Sequence, residues 1–206
     1  MQNIGIIDIG NGNIGAIVKS IEELGARYHI ISNEKNLNKM DKIIIPGVGH
    51  YSSAMSHLEK LQLSEPIQYA INVIKKPVLG ICLGMQLLGN ESEEGNIKGL
   101  SIIPGKVIKI EITNKVKYKI PNIGWNKIEI IKKHCIVDEV KEFDEFYFLH
   151  SYHFLPEKPN FIISKSLYED EFNSIIGQDN IVGVQFHPEK SYKSGKKIIN
   201  NFINKM

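Results

Sequence analysis

Cys82 sits in Gly80-Ile81-Cys82-Leu83-Gly84, directly behind the apolar run Pro77-Val78-Leu79. A buried strand that ends in G-x-nucleophile-x-G must turn sharply into a helix, and glycine is needed on both sides because a Cβ there would meet the folded-back chain. The turn lifts the sulfur clear of the sheet and aims the first free N–H groups of the helix at it. There they favour a thiolate and can hold the oxyanion formed when a carbonyl is attacked. Such a nucleophile needs a base, and Gln185-Phe186-His187-Pro188-Glu189 supplies one at the end of the apolar run Ile181-Val182-Gly183-Val184. Proline keeps the residue before it extended, and in an extended segment positions i and i+2 face the same way. Glu189 can therefore fix the tautomer of His187 through one ring nitrogen while the other faces a thiol. Together the three residues read as a Cys-His-Glu triad for nucleophilic attack on a carbonyl carbon. Either half alone would equally suit a structural cysteine and a surface turn.

The elements that must position this chemistry alternate along the first half of the chain. The spacing predicts a strand over Asn3 to Ile9, a helix over Asn13 to Leu24 closed by Gly25, and strands over Tyr28 to Ile31 and Lys42 to Ile45. Helical stretches follow within Tyr51 to Lys60 and Pro66 to Ile74, then the strand Val78 to Ile81 and the elbow helix. Such β-α alternation predicts an α/β fold, a mostly parallel central sheet flanked by helices. From about Pro104 the period falls to two. It predicts an added antiparallel or mixed region of strands over Lys106 to Glu111, Lys117 to Ile120, Lys127 to Ile131, Glu145 to Leu149, Phe161 to Ser164 and Phe172 to Ile176. A last helix, Ser194 to Asn204, carries Ile198, Ile199, Phe202 and Ile203 toward the sheet. Asn90 to Lys98 and Asn114-Lys115 read as mobile loops.

At 206 residues and 42% hydrophobic content, the chain reads as one domain, 1–206, with a single sizeable core. Twenty-five basic residues against 23 acidic ones give a net charge of +2, which offers no bulk attraction to nucleic acid or to an acidic membrane surface. Two cysteines, Cys82 and Cys135, make no disulfide framework, and a lone reactive thiol suits a reducing compartment such as the cytoplasm. No apolar run approaches the roughly 18 residues of a membrane helix, and no secretory leader is expected. Cys135, between lysines with no base in sequence reach, reads as a structural residue in a strand. His29, His57 and His134 have no companions at metal-ligand spacing, so neither a metal nor another cofactor is expected. His50 suits either the neighbourhood of the site or a helix start.

Six ordered segments resemble the class I, triad-type glutamine amidotransferases, and within them the glutaminase subunits of imidazole glycerol phosphate synthases. They are Ile45-Pro-Gly-Val-Gly49, Gly80-Ile-Cys-Leu-Gly-Met-Gln-Leu-Leu88, Ser92-Glu-Glu-Gly95, Pro121-Asn-Ile-Gly-Trp-Asn126, Tyr147-Phe-Leu-His-Ser-Tyr152 and Gly183-Val-Gln-Phe-His-Pro-Glu-Lys-Ser191. The resemblance implies hydrolysis of L-glutamine to glutamate and ammonia by Cys82, His187 and Glu189. An oxyanion hole would come from the N–H of Leu83 and an amide of the Gly47-Val48-Gly49 loop. It implies substrate binding by Gln86, by the backbone of Gly49, and by that of His150, Ser151 and Tyr152. It further implies a heterodimer with a (β/α)8-barrel cyclase, reached through Asn11, Asn13, Asn122, Trp125 and Lys190. Glycines on both sides of Val48 permit a peptide flip, so a donor amide could await that partner.

Asn122 stands where the histidine-pathway subunits usually carry histidine, Ile9 and Asn11 are unusual in the first turn, and His153 follows His-Ser-Tyr. With the segment Glu189 to Gly195, these departures also resemble paralogues that feed ammonia to an N-acetyl-sugar amidotransferase in surface-glycan synthesis. A reading of another class rests on Gly10-Asn-Gly-Asn-Ile-Gly15, which matches the dinucleotide fingerprint G-x-G-x-x-G, with Glu34 as ribose acid. It would make the chain an oxidoreductase, and it leaves the elbow and His-Pro-Glu unexplained.

Overall fold

The structure, a computed structural model, describes residues 2–10 and 12–206. In chain order the elements are β1 (Asn3–Ile7), α1 (Ile14–Glu23), β2 (Arg27–Ile31), α2 (Glu34–Leu37), β3 (Lys42–Ile45), α3 (Tyr51–Lys60), α4 (Ser64–Asn72), β4 (Val78–Ile81) and α5 (Leu83–Leu87). The second half holds β5 (Glu91–Ser92), β6 (Ile97–Lys98), β7 (Gly105–Lys109), β8 (Asn122–Lys127), β9 (Glu129–Ile130), β10 (Glu145–His150) and β11 (Tyr152–Pro156). It closes with β12 (Ile162–Tyr168), β13 (Asp170–Gln178), β14 (Ile181–Val184) and α6 (Tyr192–Lys205).

Eight strands form the central sheet in the order β2-β1-β3-β4-β14-β13-β12-β9. The first five run parallel, and β13, β12 and β9 continue the sheet antiparallel. Two smaller sheets, β10-β8 and β11-β7-β5-β6, complete the mixed region. Alternation along β3 explains the layering, because Ile43 and Ile45 enter one buried cluster and Ile44 the other. The first cluster packs α3, α4 and α5 with Val107 and Phe154 of the four-stranded sheet. The second packs α1 and α6 with Phe146 and Phe148 of β10.

Lys42 enters β3 with its side chain buried, and its Nζ donates to the carbonyls of Phe202 and Ile203, the latter at 2.5 Å, near the end of α6. Because β3 runs directly into Pro46-Gly47-Val48-Gly49, this cation ties the last helix to the strand that carries that loop.

Several expectations are corrected. Lys117 to Ile120 is no strand: the Asn114 side chain accepts from the N–H groups of Val116 and Lys117, and the Tyr168 hydroxyl bridges the N–H and carbonyl of Lys119. Asn90 to Lys98 is no loose loop but the hairpin β5-β6, laid on β7. Cys135 begins a 3-10 turn, Cys135–Val137, whose Ile136 N–H donates to the His134 ring, rather than lying in a strand. The first strand stops at Ile7, where Asp8 turns back to accept from the Gly10 N–H. Among the described residues no helix is long and apolar enough to cross a membrane.

Candidate active site

Three neighbouring parallel strands, β3, β4 and β14, deliver their carboxyl-end loops side by side. An open α/β sheet presents ligands with its crevice at that edge. From β3 comes Pro46-Gly47-Val48-Gly49, from β4 comes Cys82, and from β14 come Gln185 and His187. Cys82 holds φ +53° and ψ −107°, a conformation an L-residue adopts only when its surroundings enforce it. The glycines around it do so. A Cβ on Gly84 would lie 1.7 Å from the Ile45 carbonyl oxygen, and one on Gly80 would lie 2.7 Å from that of Gly84.

His187 is buried and extended, and its N–H donates to the Tyr147 carbonyl at 2.8 Å. Its Nδ1 is 2.9 Å from Glu189 Oε1, both side chains being almost wholly buried. Nε2 is buried with no hydrogen-bond partner among the described residues. Burial alone would push this imidazole's pKa down; the neighbouring Cys82 sulfur, taken as thiolate, and the Glu189 carboxylate outweigh it and hold the pKa up at about 10. In the structure as it stands, Cys82 Sγ donates instead to the Leu149 carbonyl at 3.6 Å. The Leu83 N–H, expected to line an oxyanion hole, donates to the Gly47 carbonyl at 3.4 Å.

The sulfur opens into a cavity of about 280 Å3 whose lining includes Val48, Gly49, Leu83, Gln86, Ser151 and Tyr152. His150 borders it too, but its ring turns inward, toward the Tyr152 carbonyl and Asn122. Gln86 is buried rather than exposed on its helix, and its Nε2 donates to the Tyr152 carbonyl at 2.9 Å and to Gln185 Oε1 at 3.1 Å. Two further residues belong to the site. Glu94 lines the cavity and accepts the Tyr51 N–H at 2.8 Å, and Gln185 is wholly buried against the sulfur. Both stand in the quoted segments, but only the folded chain brings a carboxylate of the β5-β6 hairpin beside the elbow.

The residues expected at a partner surface separate. Trp125 is exposed, stacked on Tyr192 at 5.3 Å and edge-on to Tyr147 at 5.7 Å, and Lys190 Nζ lies 5.6 Å over the Tyr147 ring. Trp125 and Tyr192 border a broader hollow of about 800 Å3 whose lining includes neither Cys82, His187 nor Glu189. Asn13 is half-buried at the start of α1. Asn122 is corrected: it is only 4% exposed and donates to His150 Nε2 at 3.0 Å, so its side chain faces inward. Asn11 lies outside the described residues. Within the fingerprint, a Cβ on Gly15 would meet nothing within 4 Å among the described residues, where a dinucleotide motif needs close packing.

Residues 5–206 match the family model described as glutamine amidotransferase class-I. The imidazole glycerol phosphate synthase subunit HisH 2 of Methanococcus maripaludis is 44% identical over 200 residues, covering 97% of this chain and 98% of that one. Subunit HisH of Methanocaldococcus jannaschii is 47% identical over 201 residues, again 97% and 98%. Among solved structures, PurLQS from Thermotoga maritima superposes with a TM-score of 0.76 over 99% of both chains at 15% identity, a likeness of fold.

Proposed function

As a member of the class-I glutamine amidotransferase family, this chain is an enzyme that hydrolyses glutamine, and we propose that it is the glutaminase subunit of an imidazole glycerol phosphate synthase. In this reading it passes ammonia to a (β/α)8-barrel cyclase in histidine biosynthesis. The observation that supports it best is the convergence of Cys82, the unpartnered Nε2 of His187 and the Glu189 carboxylate beside a cavity of about 280 Å3.

Glutamine enters with its side-chain amide toward the sulfur. Gln86, whose Nε2 is already engaged twice, offers its oxygen to the substrate. Glu94 supplies the carboxylate suited to an α-ammonium group. The Cys82 proton passes to His187 Nε2, giving the thiolate–imidazolium pair in which the ring's pKa stands at about 10; the sulfur then attacks the amide carbon, and the C–O electrons move onto oxygen. That oxyanion takes hydrogen bonds from Leu83 N–H and an amide of the 47–49 loop once Leu83 is released from the Gly47 carbonyl. Collapse expels ammonia, protonated by His187, and leaves a γ-glutamyl thioester. Water, deprotonated by His187, then releases glutamate. Glu189, holding Nδ1–H, keeps Nε2 in the tautomer that accepts and returns the proton.

Glutamate release by the purified chain, with and without the barrel cyclase and with a sugar amidotransferase as the alternative partner, tests the reading. Release stimulated by the cyclase and lost in Cys82→Ala is expected. Stimulation only by the sugar enzyme would move the protein to glycan synthesis, and release that survives Cys82→Ala would overturn the triad.

A further inference from the structure

Cys82 and Gln185 leave adjacent parallel strands side by side. Ile81 pairs with Val184 in the sheet, and the Cys82 N–H donates to the Val184 carbonyl at 2.8 Å, so the next residue of each strand meets the other. Gln185 has no exposure to solvent, its carboxamide nitrogen lies 3.6 Å from Cys82 Sγ, and its oxygen is 3.1 Å from Gln86 Nε2.

One main-chain carbonyl dictates which end of each carboxamide points where. The Tyr152 carbonyl can only accept, and a Gln86 amide atom stands 2.9 Å from it, so that atom is nitrogen. The Gln185 atom facing the same nitrogen must then be oxygen, which leaves the Gln185 N–H toward the sulfur. His150 anchors the far side of that carbonyl through Nδ1 at 2.9 Å. Burial holds the His150 pKa down at about 3, so the ring is neutral: it donates from Nδ1 and accepts from Asn122 at Nε2.

We propose that Gln185 is a further catalytic residue, which donates a hydrogen bond to the Cys82 sulfur and stabilises it as a thiolate, with Gln86 and the Tyr152 carbonyl setting its orientation. This rests on the reading of Cys82 as the nucleophile. A thiol sulfur is a weak acceptor and a thiolate a strong one, so the bond strengthens as the thiol proton leaves for His187. The Gln185 hydrogen stays on its own nitrogen throughout. Because Gln86 also lines the substrate cavity, a ligand that grips Gln86 polarises the same chain of donors ending at the sulfur.

The test is the pH profile of alkylation by iodoacetamide, measured on the whole chain carrying Cys135→Ser so that Cys82 alone reports. Gln185→Met, close in shape but with no donor, is expected to move the midpoint up by about one pH unit, about tenfold slower alkylation below it. Glutamate release in the partner complex should fall about tenfold in kcat with KM near the parent value. Gln185→Glu keeps the bond from Gln86 and sets a negative oxygen against the sulfur, so its midpoint moves further the same way; it also serves if the methionine variant does not fold. Gln86→Met, which frees Gln185 to turn, gives a smaller shift in that direction. A midpoint unchanged in the Gln185 variants overturns the proposal even if their melting temperatures fall. Glutamate release that survives Cys82→Ala instead overturns the reading beneath it, so the two failures are told apart.

Discussion

The Leu83 N–H donates to the Gly47 carbonyl at 3.4 Å, and this bond occupies the amide that the proposed reaction offers to its oxyanion. Gly47 is held close: a Cβ there would lie 2.7 Å from Ile9 Cδ1 and 2.9 Å from Leu83 Cβ. Gly49 beyond it is exposed with φ +105°, which leaves the loop free to turn on its outer side. One oxyanion donor is worth roughly 10² to 10³ in kcat. The chain alone is therefore expected to hydrolyse glutamine at least tenfold more slowly than in complex with the proposed cyclase, with KM changing less than kcat. Steady-state glutamate release with and without the partner checks this; equal kcat values would mean that the Leu83 amide is not a donor to the reaction.

His187 carries a pH signature. Its pKa in the folded chain, about 10, stands above the roughly 6.5 of an unfolded histidine. A raised pKa contributes stability that is fully present below about pH 6.5 and is lost as the pH climbs through about 10. Unfolding free energy should accordingly decline from neutrality toward pH 10, and the decline should shrink in Cys82→Ala, where the sulfur no longer favours the imidazolium. Denaturant titrations at stepped pH, with the His187 ring followed by NMR, report both effects. Glu189→Gln is expected to lower kcat less than His187→Ala does, since the amide can still position the ring although it no longer stabilises the charge. Equal losses would assign Glu189 more than orientation.

The glycines of the elbow and of the first turn should respond oppositely to a methyl group. At Gly84 a Cβ would stand 1.7 Å from the Ile45 carbonyl oxygen, a backbone atom that cannot step aside. Gly84→Ala is expected to cost about 3 kcal/mol or more, or to prevent folding. Gly15 is exposed within α1 with nothing within 4 Å of a Cβ among the described residues, so Gly15→Ala should stabilise by about 0.5–1 kcal/mol through helix propensity. Thermal or urea unfolding of the two variants settles the pair. A destabilising Gly15→Ala would return the first turn to consideration as a built cradle.

What could be read in the sequence was what is local. The elbow needs two glycines around one residue, and His187 and Glu189 face one another because proline enforces an extended chain, so five or six neighbouring residues carried each inference. The network around Gln185 was not legible, because it depends on Tyr152, Gln86 and Cys82 arriving from three different elements. Strand β11 was missed where Tyr152 and His153 dilute the alternation, and Lys117 to Ile120 was misread because lysines alternating with apolar residues also suit a turn held by Asn114 and Tyr168. Asn122 was placed at a partner surface by the family resemblance alone; the buried His150 acceptor explains why it turns in.

Trp125 and Tyr192 lie with their rings parallel to within 2°, yet both remain exposed, at 44% and 78%. Tyr192 also holds φ +44°, which a tyrosine adopts at a cost, so the stack and the start of α6 have to keep it there. Large aromatics left uncovered beside an open hollow suit the centre of a partner interface, where truncation typically costs 2 kcal/mol or more, roughly thirtyfold in Kd. Within the chain, removing the indole loses edge and stacking contacts worth about 1 kcal/mol. Trp125→Ala is therefore expected to weaken cyclase binding by at least thirtyfold while shifting the unfolding free energy by about 1 kcal/mol. Tyr192→Ser should weaken binding in the same direction and by less, because the indole loses its support but keeps its surface. Calorimetric titration of the two variants with the cyclase, beside their urea unfolding, separates docking from folding. Unchanged affinity in Trp125→Ala would place the partner on another face of the chain.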